Sequence, residues 1–172
     1  MNNIKISPKD IPLLRKILPL VCLTIPWEFY YYTGDYSKGW GIKFSVLYAN
    51  FDSQYGTLFV DIVKQMTLLS YGGFLPSLRT ITWFIAALMC IAIVLYELFR
   101  ENMEIKLSIR TTGIILLVCA FLTLISSAAV WNSSFKSIPV APIFFALSSY
   151  LLLQTSRTKY SEKIPECKHM DS

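Results

Sequence analysis

Histidine is almost absent from this chain, which contains only His169, near the C-terminus. Histidine-based metal sites and histidine acid–base catalysis need partner residues, and Cys167 with His169 supplies only two ligands. The sequence also lacks a glycine-rich phosphate loop, a nucleophile elbow and an HExxH motif. It therefore predicts no metal site, no cofactor and no catalytic residue, and it leans against an enzyme.

Charged residues are scarce, at 16% of the chain against about 25% in an average soluble domain. Hydrophobic residues make up 54% of the 172 residues, a balance typical of a protein that crosses a membrane several times. Nucleic-acid binding is not indicated by the net charge of +5, because the basic residues flank the hydrophobic runs instead of forming one patch. A disulfide framework is excluded because Cys22, Cys90 and Cys119 lie in separate apolar runs.

Four hydrophobic runs are predicted to form transmembrane helices, since a segment in lipid must satisfy its own backbone hydrogen bonds. The predicted spans are residues 12–32, 81–98, 112–131 and 138–153. We therefore expect an all-α fold, a single integral membrane domain over residues 1–172 organised as a four-helix bundle with a polar tail at 155–172. A signal peptide is the alternative for the first run, but the bulky aromatic residues at its end do not suit cleavage.

Lysine and arginine indicate the orientation of these spans. Eleven of the sixteen basic residues fall in residues 1–16, 99–111 and 155–172. Because basic residues favour the cytoplasmic side, both termini are expected in the cytoplasm of a plasma-membrane protein, with a long extracytoplasmic loop at residues 33–80.

An aromatic cluster containing one carboxylate, PWEFYYYTGD from Pro26 to Asp35, ends the first predicted span. Tryptophan and tyrosine favour the headgroup layer, so the cluster is expected to mark the outer end of this helix. Glu28 is then an interfacial acid, and Arg79, just before the second span, is its expected ion-pair partner. A role of Glu28 in ligand or proton handling is the alternative.

The outer loop contains further candidate interaction residues. Residues 42–47 are expected to form a short strand or an aromatic-rich coil. The thirteen residues 57–69 show helical spacing and are too few to span, which predicts an amphipathic helix in the outer interface. Asp61 and Lys64 lie on its polar side and are expected to form an ion pair, with a binding site as the alternative. The candidate interaction or ion-pair residues are Trp27, Glu28, Asp35, Trp40, Asp61, Lys64 and Arg79.

A set of short motifs occurs in a fixed order along most of residues 20–153. They are Ile25-Pro26-Trp27, Trp40-Gly41, Thr57-Leu58-Phe59 with Asp61, Gly73-Phe74-Leu75-Pro76 and Ile138-Pro139-Val140. In these motifs the chain resembles an uncharacterised archaeal family of small four-span membrane proteins encoded near archaeosortase A, a membrane protease that processes sorting signals of surface proteins. The resemblance implies a cell-surface context and an archaeosortase-like protease as a partner. The chain departs from the family's pattern in its longer aromatic run after Trp27 and in its polar tail.

Two functions remain open from the sequence. The first is a non-catalytic membrane accessory protein that binds an integral membrane partner through the outer loop, with a role in surface-protein processing or anchoring. The alternative is a small transporter or channel subunit with Glu28, Asp61 and Arg79 near an entrance. The predicted spans hold almost no ionisable residue at mid-depth, which disfavours the second function.

Overall fold

The fold combines helices with one antiparallel sheet. The computed structural model describes residues 11–35, 37–67, 73–104 and 107–162. In chain order the elements are α1 Ile11–Thr24, β1 Glu28–Thr33, β2 Lys38–Lys43, β3 Leu47–Asp52, β4 Gly56–Asp61, α2 Ile62–Thr67, α3 Phe74–Phe99, α4 Ile109–Ala128, β5 Phe135–Pro139 and α5 Ala141–Glu162. A 3-10 turn at Arg100–Asn102 follows α3. The strands lie in the order β4-β3-β2-β1-β5.

The prediction of an all-α four-helix bundle is therefore wrong, because the protein is α+β. Two helical segments in the described part of the chain, Phe74–Asn102 and Ile109–Ala128, are long and apolar enough to cross a membrane. The helix α1 has only 14 residues, and the apolar part of α5 extends from Ala141 to Ser156. Two candidate spans thus replace the four that the sequence predicts.

The first predicted span, 12–32, divides into a helix and a strand. The helix α1 ends at Thr24, two residues before Pro26, because proline disfavours the helical conformation of the residue before it. The next segment, EFYYYT, is rich in aromatic residues that favour strands, and its burial alternates from Glu28 onward. Aromatic residues that suggest a position in the headgroup layer thus also suit a half-buried strand. The alternating burial of their side chains in the structure identifies the segment as a strand.

The predicted interfacial helix at 57–69 is also wrong over its first half. Residues 57–61 belong to β4, which pairs with β3, and only Ile62–Thr67 is helical in the described part of this segment. Asp61 Oδ1 accepts a hydrogen bond from the backbone N–H of Lys64 at 2.8 Å. The Asp61 carboxylate therefore caps the N-terminus of α2. It contacts the backbone of Lys64, whereas the sequence predicts an ion pair with the Lys64 side chain.

The two faces of the sheet differ in what they contact. The inner face presents side chains toward the helices, and its members include Glu28, Tyr30, Tyr32, Lys43, Tyr48, Asn50, Phe135 and Ser137. The outer face carries the residues between them, and its members include Phe29, Tyr31, Trp40, Ile42, Phe51, Phe59 and Ile138. Because side chains alternate along a strand, these sets follow directly from the register.

The long helices pack through small buried side chains. The helix α3 contacts α1 and α4, and α5 also contacts α1 and α4. Ala86, Cys90 and Cys119 are fully buried in the shared core, close to the larger Trp83 and Phe145. Small side chains let helix axes approach closely, which explains how these apolar helices pack.

The helix core has a charged cluster at each end. The end that carries the sheet, called the sheet end, joins Glu28 of β1 to Arg79 of α3. At the opposite end, called the far end, Arg15 of α1 contacts Glu97 of α3 at 2.6 Å. The carbonyl oxygen of Leu107, just before α4, accepts a hydrogen bond from Arg15 at 3.1 Å.

A tight turn joins β3 to β4. Asp52 Oδ1 accepts hydrogen bonds from the backbone N–H groups of Gln54 and Tyr55, at 2.7 and 2.9 Å. The Tyr32 hydroxyl donates to the other carboxylate oxygen, and these hydrogen bonds lower the pKa of Asp52 to about 2. Gly56 closes the turn with a φ of 74°, a conformation that favours glycine.

Replacing Gly56 by alanine should test the backbone geometry of this turn. No atom lies within 4 Å of the added Cβ, so the cost comes from the positive φ alone. We expect Gly56→Ala to lower the free energy of unfolding by about 1 kcal/mol, measured by chemical unfolding in an uncharged detergent. Gly34→Ala is the matched control, because Gly34 has no positive φ and an added Cβ meets only the Ser37 carbonyl at 3.4 Å. Equal effects of the two changes would contradict the turn geometry.

Candidate functional site

Three charged side chains meet at the sheet end, and we call them the ionic triad: Glu28, Lys43 and Arg79. Glu28 is 1% exposed and Lys43 is 4% exposed. Lys43 Nζ lies 3.2 Å from Glu28 Oε2, and Arg79 Nη2 lies 2.9 Å from Glu28 Oε1. The second contact is an ion pair without a hydrogen bond to Glu28 Oε1. A single carboxylate thus faces two cations in a buried environment.

Each member of the triad is positioned by a different element. Glu28 and Lys43 are directly opposite each other in the register of β1 and β2. The chain before β1 is held by Trp27, whose backbone N–H donates to the Lys43 carbonyl at 2.6 Å and whose indole N–H donates to the Cys22 carbonyl at 2.8 Å. Arg79 comes from the second turn of α3. The triad therefore ties the sheet to the helices.

The excess positive charge of the triad affects the protonation of Lys43. Glu28 can offset only one of the two cations, and a guanidinium stays protonated in proteins. Burial, followed by repulsion from Arg79, lowers the pKa of Lys43 to about 7 against partial compensation by Glu28. Lys43 also lies 3.4 Å from the hydroxyl of Ser126 on α4. Lysine is thus the member of the triad that can lose its charge most easily.

Aromatic rings surround both cations. Lys43 Nζ lies 4.7 Å from the centre of the Trp83 ring, and Arg79 Cζ lies 4.6 Å from the centre of the Phe135 ring. The ring of Tyr30 is 5.4 Å from Arg79 and stacks on Phe135 at 5.5 Å. These distances allow cation–π attraction, which partly replaces the water that both cations lose on burial.

Glycines on β2 allow the tyrosines of β1 to lie across the sheet. Gly41 is opposite Tyr30, and Gly39 is opposite Tyr32. A Cβ at either glycine would overlap the facing tyrosine ring and a carbonyl oxygen of β3. The absence of a side chain on β2 therefore brings both rings over the inner face.

A cavity of about 230 Å³ lies between the inner face and α3. Its lining residues are Tyr30, Tyr32, Lys43, Tyr48, Asn50, Gln65, Arg79, Thr80, Trp83 and Phe135. Several of them are only half-buried, including Asn50, Gln65 and Arg79, so the cavity reaches the surface. Burial raises the pKa values of Tyr30 and Tyr48, which keeps both hydroxyls neutral. The cavity thus combines cations, neutral hydroxyls and aromatic rings.

The structure brings three of the predicted candidate residues together. The ion pair that the sequence predicts between Glu28 and Arg79 is present, although Glu28 lies on a strand and not at a helix end. Trp27 lies directly before Glu28 and packs edge-on against Phe145 at 5.4 Å.

The other candidates lie elsewhere. Asp35 is exposed near the turn between β1 and β2, and Trp40 is 48% exposed on the outer face, where it stacks on Phe51 at 4.3 Å. Asp61 and Lys64 form the cap of α2 described above. Cys167 and His169 lie outside the described residues.

Sequence reasoning missed Lys43 and the far-end pair. Lys43 follows the motif Gly39-Trp40-Gly41-Ile42, and its place opposite Glu28 depends on a strand register that hydrophobicity does not reveal. Arg15 is 3% exposed, although its charge suggests a side chain that reaches the headgroups. Glu97 is the one carboxylate in the second predicted span, and this isolated charge in an apolar run was the available signal.

The described residues contain no group of three histidine, cysteine, aspartate or glutamate side chains placed to hold a metal ion. The triad instead connects β1, β2 and α3 through ion pairs. Two of its members, Lys43 and Arg79, also place cationic side chains in the wall of the cavity. Comparison of the chain with protein-family models and with curated proteins finds no match.

Replacing members of the triad should have unequal effects. Glu28→Gln leaves Lys43 and Arg79 buried without their counter-ion, and we expect a loss of about 3–5 kcal/mol in the free energy of unfolding. Lys43→Met leaves a balanced pair and a side chain of similar length, so we expect a loss below about 1.5 kcal/mol. Chemical unfolding in an uncharged detergent measures both. The exposed Lys136 provides a control, Lys136→Met, expected near zero. Equal losses from Glu28→Gln and Lys43→Met would reject this charge balance.

The lowered pKa of Lys43 predicts a specific pH dependence. Between pH 7 and the ordinary lysine value of 10.5, the unfolded chain binds a proton that the folded chain does not. The free energy of unfolding should therefore rise with pH across this window, by up to about 1.4 kcal/mol per pH unit. The measurement is unfolding at several pH values for the wild type and for Lys43→Met. The difference between them should grow with pH, and a constant difference would contradict the assignment.

Proposed function

We propose that this chain is a non-catalytic membrane accessory protein that binds an integral membrane partner through the outer face of its sheet. The observation that carries the proposal is the composition of that face. Two cross-strand rows traverse all five strands: Ile138, Phe29, Ile42, Ala49 and Phe59 in one, and Lys136, Tyr31, Trp40, Phe51 and Thr57 in the other. Only one of these ten side chains is charged.

The outer face leaves large apolar side chains in contact with solvent. Phe59 is 69% exposed and Ile138 is 67% exposed, at opposite edges of the sheet. Between them, Trp40 and Tyr31 are each close to half exposed. A contiguous apolar patch of this kind marks an interaction surface more often than a scattered exposed residue does. Aromatic residues are also those that contribute most to protein–protein binding.

The membrane assignment is supported by the outward surface of the helices. The two candidate spans, α3 and α4, expose large apolar side chains along their length: Ile81, Ile85, Leu88, Leu95, Leu98, Ile114, Leu117, Val118, Phe121, Leu124 and Ile125. Lipid is the environment that removes this surface from water. The proposal places α3 and α4 across the bilayer, with α1 and α5 packed against them and the sheet outside the lipid.

The orientation follows from charge. The first described turns of α1 lie beside Glu97 and Leu107 at the far end, as the Arg15 contacts with these two residues indicate. In the sequence, basic residues concentrate in residues 1–16, 99–111 and 155–172, which supports a cytoplasmic far end and an extracytoplasmic sheet in the plasma membrane. Under the same proposal both chain termini are cytoplasmic.

The nature of the partner rests on the motif resemblance stated above. That resemblance makes an archaeosortase-like membrane protease the candidate partner and surface-protein processing or anchoring the candidate process. The alternative function, a transporter or channel subunit, gains no specific support. Between the two charged clusters the described helices place fully buried side chains such as Cys22, Cys90 and Leu116.

Photo-cross-linking should locate the partner on the outer face. A photoreactive phenylalanine at Trp40 in native membranes should give one discrete heteromeric adduct, and the double variant Trp40→Ser with Phe59→Ser should lose co-purification of the same partner. Phe59 is 69% exposed, and Trp40 loses only its stacking on Phe51, so the double variant should stay folded with a loss of about 1 kcal/mol in stability. Tyr55, 76% exposed in the turn between β3 and β4, is the matched control position. Equal adducts from Tyr55, or full retention of the partner by the double variant, would contradict the proposal.

A further inference from the structure

A second cavity, which we call the far-end cavity, lies between the start of α1 and the end of α3. Its volume is about 320 Å³, and its lining residues are Pro12, Lys16, Glu97, Arg100 and Glu101. The side chain of Lys16 is 43% exposed and that of Glu101 is 88% exposed, so a ligand can reach both from outside. The far-end cavity is therefore an accessible site with charged groups in its wall.

One positive charge at this cavity is not balanced. Arg15 offsets Glu97 through two hydrogen bonds to Oε1, at 3.1 and 2.6 Å. Lys16 Nζ lies 3.7 Å from Glu101 Oε1, an exposed contact of a kind that contributes little stability. Arg100 forms no ion pair with any of the described side chains. Three cations thus accompany two carboxylates, and a ligand with a single negative charge completes the balance.

The length of α3 determines the depth of this cavity in a bilayer. Arg79 and Glu97 are 18 positions apart on α3, a rise of about 27 Å, and residues 80–96 between them contain no charged side chain. The hydrocarbon core of a bilayer is about 30 Å thick, so a helix that crosses it with Arg79 at one boundary has Glu97 at the other. Arg100 lies one turn further along the chain. The far-end cavity is then at the depth of the lipid phosphates.

Exposed apolar side chains adjoin the far-end cavity. Leu20 lies one turn from Lys16 on the same side of α1, toward the middle of the helices, and it is exposed. Leu95 and Leu98 of α3 are also exposed, and both are close in the chain to Glu97. A ligand with a charged head and apolar chains matches this arrangement, whereas a free phosphate ion would use only the charged part.

From these observations we propose that the far-end cavity binds one anionic phospholipid. Its phosphodiester lies between Lys16 and Arg100, which donate charge-assisted hydrogen bonds to the two unesterified oxygens, and its acyl chains lie along α1 and α3. Lys16 exchanges its weak contact with Glu101 for the phosphate. The inference rests on the proposed placement of α3 and α4 across the bilayer, and it does not depend on the partner at the outer face.

Phosphatidylglycerol is a suitable probe, because its phosphate carries one negative charge and its glycerol headgroup is neutral. The experiment is native mass spectrometry of the full chain, freed of lipid in an uncharged detergent and titrated with phosphatidylglycerol or with phosphatidylcholine of the same acyl chains. We expect one phosphatidylglycerol to bind at least about fivefold more tightly, because the choline group cancels the charge of the phosphate. Inorganic phosphate at millimolar concentration should not displace it, since it lacks the apolar chains.

Substitutions in the cavity wall test the assigned groups. Lys16→Gln and Arg100→Gln should each weaken phosphatidylglycerol binding by about fivefold. Their control is Arg110→Gln, which removes the same charge from an exposed position at the start of α4 that does not line the cavity. Glu101→Gln should tighten binding because it releases Lys16, and Glu104→Gln, at another exposed acid, is its control. Both controls should bind within about twofold of the wild type.

Several results would overturn the proposal. Equal affinity for phosphatidylglycerol and phosphatidylcholine is one, and displacement of the lipid by inorganic phosphate is another. Equal losses from Arg100→Gln and Arg110→Gln would indicate a diffuse surface charge in place of a site. None of the substituted side chains is buried, so the variants should fold.

Extraction of native membranes with alkaline carbonate separates this inference from the proposed function. The chain should stay in the membrane pellet, because α3 and α4 cross the bilayer. Release into the supernatant would overturn the membrane placement and the lipid site together. Retention in the pellet without a preference for phosphatidylglycerol would overturn the lipid site alone.

Discussion

The burial of one carboxylate between two cations is the constraint on which the sheet end depends. Glu28 cannot leave water at low cost unless its charge is offset, and Lys43 and Arg79 provide that offset from β2 and α3. Since the three charges come from three elements, none of these elements can move independently without separating opposite charges in a medium of low polarity. The triad therefore determines where the sheet sits on the helices.

The remaining features of the sheet end adapt to this constraint. Two cations around one carboxylate leave an excess of positive charge. The rings of Trp83 and Phe135 stabilise the two cations, and the lowered pKa of Lys43 makes loss of its proton easier. Glycines on β2 let Tyr30 and Tyr32 cover the same region. A cavity of about 230 Å³ remains between the inner face and α3, beside these side chains.

The far end repeats the same principle with fewer groups. Arg15 and Glu97 form a balanced pair, and Thr112 adds a hydrogen bond to the same carboxylate oxygen at 3.2 Å. One cation with one anion leaves no excess charge in this pair. Between the two clusters the helices pack through alanine and cysteine side chains. The fold is thus held at both ends by specific charges and in the middle by close apolar packing.

The amino-acid sequence by itself determined the features that depend on local composition. The apolar runs of α3 and α4 and the isolated charges Glu28 and Arg79 could be identified from the sequence, because hydrophobicity and charge are read from it directly. The break at Pro26 was missed, since the first predicted span continued through it to residue 32. The sheet was decided by tertiary structure. EFYYYT and TLFVD suit an interfacial segment as well as a strand, and only pairing with β2, β3 and β5 selects the strand. The positions of Lys43 and Asn50 in the cavity depend on that register, since a shift of one residue would turn both toward the outer face.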